Sequence, residues 1–381
     1  MTATADPEAV ARLQAKFDHF ARHAFADEPL YAALSAAAAA HAGWAALLAA
    51  APASQQLPLL WLAALQDRVL ELVDAGERPP LAGYFASASA VDARAPDTAL
   101  LTHLDDFIAA NRDALVRRIA TRTTQTNEIG RCAVLWPILQ GLAEMTGRPI
   151  ALLDVGCSAG LNLGVDRWRY RYVDDTTGAT FATTPPDHDP AAPEIACRVL
   201  AGTRPSATAK PEIVSRRGID VSPISVDDPA EVRWLRACLW PHDAERRARF
   251  DAAVAIARTQ RWPLGTTTDA AASVEAWLRD VPDDVTPVVF NSWVLQYFDA
   301  ALLRHHVDAM LATVAHGRAV WISAEDPTRS RTWWPDKPAS EADALPNATS
   351  WTVARPDGRG GVAWALAATS HAHGRWMLYE G

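Results

Sequence analysis

The stretch Ile150-Ala-Leu-Leu-Asp154-Val-Gly156-Cys-Ser158-Ala-Gly160-Leu-Asn162-Leu163 decides how this chain folds. Residues 150–155 are a short apolar run containing one acid, and a glycine-rich turn follows at once. An apolar run of that length beside a turn signal reads as a buried parallel strand leading through a tight loop into the first turn of a helix. Gly156 and Gly160 allow a sharp turn and a close backbone approach, because no Cβ stands in the way. A helix start also leaves backbone N–H groups without partners, ready for polar groups of a ligand.

Spacing discriminates between ligands. A dinucleotide loop of the form G-x-G-x-x-G requires glycines at 156, 158 and 161. This chain has Ser158 and Leu161 there, which argues against NAD. The pattern Asp154-x-Gly156-x-Ser158-x-Gly160 instead resembles the first motif of Rossmann-like S-adenosylmethionine (SAM) methyltransferases, with Ser158 where many members carry a glycine. In those proteins the loop wraps the methionine part and cradles no pyrophosphate. The plain alternative is an ordinary strand–turn–helix junction, although an acid directly before the loop is unusual in a mere turn.

The 381 residues suggest two or three domains with ample surface to bury a core. A composition 49% hydrophobic and 21% charged is that of an ordinary globular protein. A net charge of −9 is a poor footprint for gripping a nucleic-acid backbone. Cys132, Cys157, Cys197 and Cys238 are widely spaced with no CxxC pair, so neither a disulfide framework nor a metal site is expected, and a reducing cytoplasm fits. The opening Met-Thr-Ala-Thr-Ala-Asp lacks the features of a signal peptide. The uncharged run Tyr31–Ala53 raises a membrane question by length. Its alanine content, Ser35, His41 and the breaks at Gly43 and Pro52 favour two helices of a soluble protein.

From the N-terminus, helices are expected over 6–24, 28–43 and 57–75, then a loop over 76–96 and a helix capped by Asp97. Residues 1–115 are thus expected as a helical region serving as a lid or a dimer interface, and 116–381 as an α/β domain. A dense polar cluster, Gln125-Thr-Asn127-Glu128-Ile-Gly-Arg131, precedes a helix running to Gly147. It reads either as a capping box with solvated neighbours or as a group facing cofactor and substrate. Val165–Tyr172 alternates aromatic and basic residues, an exposed strand or a binding patch. The stretch with Pro185, Pro186, Pro190 and Pro193 reads as a loop within an insertion over 168–211.

A second strand ends at Asp220, where an acid commonly accepts ribose hydroxyls. Such an acid normally lies about 20 residues past the glycine loop, whereas Asp220 lies 64 residues past Gly156. The insertion explains the gap; the alternative is a turn residue before Ser222-Pro223. A third strand precedes Asp269, which either meets an adenine or caps the helix over 270–280. The fourth strand ends at Asn291 and Ser292, with Tyr297 in its exit loop. Ligands sit outside the carboxyl ends of such strands. His305 and His306 are read as surface residues. A fifth strand ends in Glu325-Asp326, and strands over 350–355 and 361–369 make a terminal hairpin. His371-Ala-His373 reads as a turn, since no third metal ligand accompanies it. The whole matches a Rossmann-like, doubly wound, mostly parallel α/β sheet with an antiparallel edge.

Five blocks stand together: Gln125–Arg131, Leu153–Leu163, Arg217-Gly-Ile-Asp-Val-Ser-Pro223, Val232–Arg236 with Trp240-Pro241, and His373-Gly-Arg-Trp376. On these blocks the chain resembles an uncharacterised bacterial family, domain of unknown function 2332, across most of its length. That family carries no activity over. The methyltransferase resemblance implies SAM as cofactor and a small-molecule acceptor. Asp154, Gly156, Ser158, Gly160 and Asn162 would hold the methionine part, Asp220 the ribose, and Asp269 the adenine with Asn291 nearby. Gln125, Asn127, Arg131, Ser292 and Tyr297 are acceptor-site candidates. Glu128, His371 and His373 are candidates for a base, needed only if the acceptor must lose a proton. Asn291-Ser292-Trp293 lacks the Asn/Asp-Pro-Pro-Tyr signature of amino-methylating members. A non-catalytic SAM- or nucleoside-binding protein is therefore the alternative, and an NAD-dependent oxidoreductase a more distant one. No partner beyond a small molecule or a second copy, and no membrane, is implied.

Overall fold

A computed structural model describes residues 6–23, 28–89, 93–183, 189, 191–205 and 210–380. The expected loop residues Pro185, Pro186 and Pro190 lie outside these. The chain forms two compact units, 1–126 with 227–248, and 127–226 with 249–381.

Helices among the described residues are α1 (Pro7–His23), α2 (Pro29–Ala40), α3 (Ala42–Ala45), α4 (Pro58–Asp74), α5 (Leu100–Thr121), α6 (Cys132–Thr146), α7 (Pro229–Ala237), α8 (Ala244–Gln260), α9 (Ala270–Leu278), α10 (Ala300–Ala315) and α11 (Pro327–Ser330). Sequence signals set many of their ends. Proline stands in the first turn of α2, α4 and α7, where its missing N–H costs nothing. Asp228, Asp269 and Asp299 accept N–H groups at the starts of α7, α9 and α10. Gly147, at φ 63, closes α6.

The first unit is helical. Phe17, Leu30, Leu34, Trp61, Leu65 and Leu104 share its core, and Trp234 of α7 joins them. The α7 segment is bound in by polar groups as well. Asp67 of α4 takes Arg118 Nε at 2.7 Å and Arg233 Nε at 3.1 Å. Gln66 Nε2 donates to the Leu239 carbonyl at 3.2 Å. The helical region expected over 1–115 thus extends to 126 and takes in 227–248 from beyond the first strands. Among the described residues no single helix is long and apolar enough to cross a membrane. The pair Pro29–Ala40 and Ala42–Ala50 is bent by 107°, with Leu30, Leu34, Leu47 and Leu48 buried in this core.

The second unit is built on strands β1 (Ile150–Val155), β2 (Arg169–Asp174), β3 (Thr180–Thr183), β4 (Glu194–Val199), β5 (Ile213–Asp220), β6 (Leu264–Thr266), β7 (Thr286–Ser292), β8 (Val320–Glu325), β9 (Ala348–Pro356), β10 (Val362–His371) and β11 (Trp376–Tyr379). Among the described residues they form one 11-stranded, mostly parallel sheet in the order β3-β2-β4-β11-β10-β9-β8-β7-β1-β5-β6. Strands β6, β5, β1, β7 and β8 are mutually parallel. Chain order runs outward from β1 in both directions, so the sheet reverses between β1 and β7. Ala151, Leu153, Val155, Val289 and Trp321 face α9 and α10 across one apolar core. Tyr172 Oη and Tyr379 Oη donate to carbonyls of α6, Ala133 at 2.8 Å and Pro137 at 3.4 Å, placing α6 over the other half of the sheet.

Four expectations are refined or corrected. The insertion over 168–211 carries β2, where a strand is expected, and also β3 and β4, and these take the sheet to its far edge. The alternating aromatics of 168–172 face inward, and Arg171 pairs outward with Glu194 at 2.9 Å. The β9–β10 hairpin is not an edge, because β11 pairs onward with β4. His306 is buried against Phe298 and Trp321, not on the surface.

Candidate functional site

The site lies where the parallel strands end. After Val155 the chain turns through Gly156 (φ 78), Ser158 (φ 51) and Gly160 (φ 69). The helix expected next is one short turn, Leu161–Gly164, so the chain passes to β2 without a crossover helix. Most of the loop's N–H groups are engaged within the protein. Those of Gly156 and Cys157 reach the Ile219 carbonyl at 2.8 and 3.2 Å. That of Ser158 reaches Asp220 Oδ2 at 2.8 Å. Gly160 donates to Cys157 at 2.7 Å, and Leu161 to Asn127 Oδ1 at 3.0 Å. A pyrophosphate needs such donors free, so this loop is no phosphate cradle.

Asn127 is the clamp of the loop. While its Oδ1 takes Leu161 N–H, its Nδ2 donates to the Cys157 carbonyl at 2.8 Å. Asn162 is buried, with its Oδ1 3.4 Å from the Cys132 thiol. Cys157 is buried as well; desolvation, then the nearby Asp154, pushes its thiol far above the usual range, which makes it no nucleophile.

Two acids dominate the electrostatics. Asp154 is 2% exposed, and its Oδ2 has no hydrogen-bond partner among the described residues. Burial first, then the charge of Asp220, pushes its carboxyl up to about 7, with Arg131 pulling the other way. Asp220, half-buried at the tip of β5, takes Ser158 N–H on one oxygen and Ser222 N–H at 2.9 Å on the other. Each oxygen keeps a lone pair for a further donor.

The polar cluster of 127–131 meets the C-terminal turn here. Glu128 Oε1 accepts Gly130 N–H at 2.9 Å, capping a turn over Ile129–Arg131. Arg131, buried, donates to the Ala372 carbonyl at 2.8 Å and to Ser292 Oγ at 2.9 Å. Gly130 and Gly374 cross so closely that a Cβ at Gly374 would stand 1.9 Å from the Gly130 carbonyl oxygen. His371 and His373 pack edge to face at 5.2 Å, and His373 N–H donates to His371 Nδ1 at 2.9 Å.

Other expected residues stand apart or are otherwise engaged. Asn291 is fully buried; its amide donates to Ser323 and Glu325 and accepts from Trp321 Nε1 at 2.7 Å. Asp269, past β6, caps α9 through Ala272 N–H. Tyr297 is 60% exposed. Gln125 belongs to the first unit, beside Cys238. Glu325, at the end of β8, is a site residue that sequence reasoning misses. Its signal is an acid closing an apolar strand, the same signal that marks Asp154 and Asp220.

The sheet and this acidic, glycine-looped end define a mixed α/β protein with a helical N-terminal region. The chain belongs to the bacterial family described as "Uncharacterized protein conserved in bacteria (DUF2332)", whose model matches residues 14–378. Comparison with curated proteins finds no match.

Proposed function

We propose that this protein is a SAM-dependent methyltransferase acting on a small molecule, with a Rossmann-like sheet order 3-2-1-4-5 in β6-β5-β1-β7-β8. The observation that carries the reading is the pair of acids around a loop with no phosphate cradle. Ribose hydroxyls are donors, and Asp220 keeps acceptor capacity beside the loop. An ammonium and a sulfonium are cations, and Asp154 presents a buried oxygen without a partner. The residues present around the loop, Asp154 and Asp220, thus fit the methionine and ribose parts of the cofactor. Bound there, SAM would supply an already activated methyl group.

The chain's own task is to position the acceptor and exclude water. Arg131 and Ser292 are joined beside the loop and offer the acceptor a polar wall. If the acceptor must lose a proton, His371 is a poor base in its neutral form. Its Nδ1 accepts His373 N–H, so the ring proton sits on Nε2 and donates. Glu128 and His373 remain as base candidates. A binding-only protein is the second reading, favoured by Asn291, whose amide is wholly engaged in the fold.

Calorimetric titration with SAM and S-adenosylhomocysteine tests the cofactor. Micromolar binding is expected, lost in Asp154→Ala and Asp220→Ala. No binding to the wild-type chain would overturn the reading. Methyl transfer to any acceptor would remove the binding-only alternative.

A further inference from the structure

Glu325 is fully buried, and nothing in the proposed chemistry uses it. Its Oε1 gathers three N–H groups: Asn291 Nδ2 at 2.9 Å, Val294 N at 3.0 Å and Leu295 N at 3.1 Å. Its Oε2 is buried without a hydrogen bond among the described residues. Two of those three donors are backbone groups of residues 292–295, which arch out of β7.

The arch is strained and pinned at several points. Trp293 holds φ 56, left-handed and costly for a bulky residue. Strain of that kind persists only where the surroundings over-determine it. Trp293 Nε1 is anchored on Thr349 Oγ1 at 2.8 Å, and Ser292 is held by Arg131. Val294 then lies against the glycine loop: a Cβ at Gly156 would stand 2.3 Å from Val294 Cγ2. Gly156 is therefore demanded both by its positive φ and by the arch above it. A hydrogen-bonded path runs from Glu325 to the arch, and a packing contact runs from the arch to the loop.

We propose that Glu325 is the positioning residue of this site: its carboxylate holds the Ser292–Leu295 arch down on Gly156, and the arch fixes the conformation of the glycine loop. That the loop receives a cofactor rests on the function proposed above; that Glu325 sets its conformation does not.

Hydrogen exchange of the ligand-free, full-length chain tests this, in wild type, Glu325→Ala, Glu325→Gln and Val294→Ala. Glu325→Ala is expected to speed exchange about tenfold or more in peptides covering 292–298 and 155–163, with 270–278 unchanged. Glu325→Gln keeps an acceptor at Oε1 and is expected to restore most of the protection. Val294→Ala is expected to speed 155–163 while leaving the N–H groups on Glu325 protected. The proposal is overturned if Glu325→Ala leaves 155–163 unchanged, or loosens the whole sheet alike. Should Glu325→Ala fail to fold, Val294→Ala decides, and an unchanged 155–163 overturns it. A parallel titration with S-adenosylhomocysteine separates the two ideas. Failure of the wild type to bind sinks the methyltransferase reading while exchange still judges Glu325. Where the wild type binds, Glu325→Ala is expected to weaken binding about tenfold, with Glu325→Gln close to wild type. Equal affinity in wild type and Glu325→Ala counts against the proposal.

Discussion

Asp220, at the tip of β5, takes the backbone N–H of Ser158 at 2.8 Å, so the second acid of the site is tied to the middle of the glycine loop on the neighbouring strand. This carboxylate supports the loop, and on the proposed reading it also meets a ribose; two substitutions separate those roles. Asp220→Ala loses a charge-assisted bond of roughly 1.5–3 kcal/mol, and melting temperature should fall. Asp220→Asn keeps an oxygen for Ser158 but loses the charge. It should retain most of the stability while affinity for S-adenosylhomocysteine drops about tenfold or more. Unchanged affinity in Asp220→Asn would remove the ribose role.

Burial raises the carboxyls of Asp154 and Glu325 to about 7. In the unfolded chain such groups ionise near 4. Between about pH 4 and 7 the folded state holds protons that the unfolded state has released, so stability falls as pH rises through that window. Above about pH 7 both states are ionised and the slope vanishes. Each group contributes at most about 1.4 kcal/mol per pH unit there. Urea midpoints of wild type and Asp154→Asn should therefore diverge in favour of the asparagine from about pH 4.5 to 7.5. A gap constant with pH would mean that Asp154 titrates as an ordinary carboxyl.

Gly374 stands at φ 67 with the Gly130 carbonyl where a Cβ would go, whereas Gly358, at φ 74, has open space around it. Gly358→Ala meets only the left-handed backbone cost of about 1–2 kcal/mol. Gly374→Ala must also push the crossing backbones away from each other, and should cost more than about 3 kcal/mol. Denaturant titration of both variants makes the comparison. Equal losses would show that the crossing yields without strain.

Asp67 is 4% exposed between Arg118 and Arg233. Asp67→Ala leaves Arg118 and Arg233 with Glu71 as their remaining carboxylate, and losing the charge-assisted bonds to Asp67 should cost about 1.5–3 kcal/mol. Hydrogen exchange should localise the loosening to α4, α5 and α7. A loss below about 1 kcal/mol would place the pair in the class of solvated ion pairs.

Much of this architecture is legible in local residue order. The helix starts at Pro7, Pro29, Pro58 and Pro229 follow from proline's preference for a first turn, where its missing N–H costs nothing. The turn at 156–160 follows from its glycines, whose positive φ angles the structure confirms. Asp220 can be picked out as a strand-end acid across an unusual gap, because the strand before it and the turn after it leave their own marks. Asp269 admits two readings in sequence, and the structure shows the cap.

What tertiary structure alone decided is non-local. An apolar strand announces that it pairs, but not with whom, so the place of β2 to β4 at the far end of the sheet goes unread and the hairpin reads as an edge. The helix expected after Gly160 is a single turn, and its first N–H goes to Asn127, more than thirty residues upstream, a partner that local sequence does not name. His306 is buried because a helix face turns it onto Phe298 and Trp321, and a residue type alone does not choose a face. Glu325 carries the same strand-end mark as Asp154, and only its three converging N–H groups distinguish it. Local signals set backbone angles and burial, which neighbours in sequence impose. Strand order, backbone crossings and the donors that a carboxylate gathers depend on segments that only folding brings together.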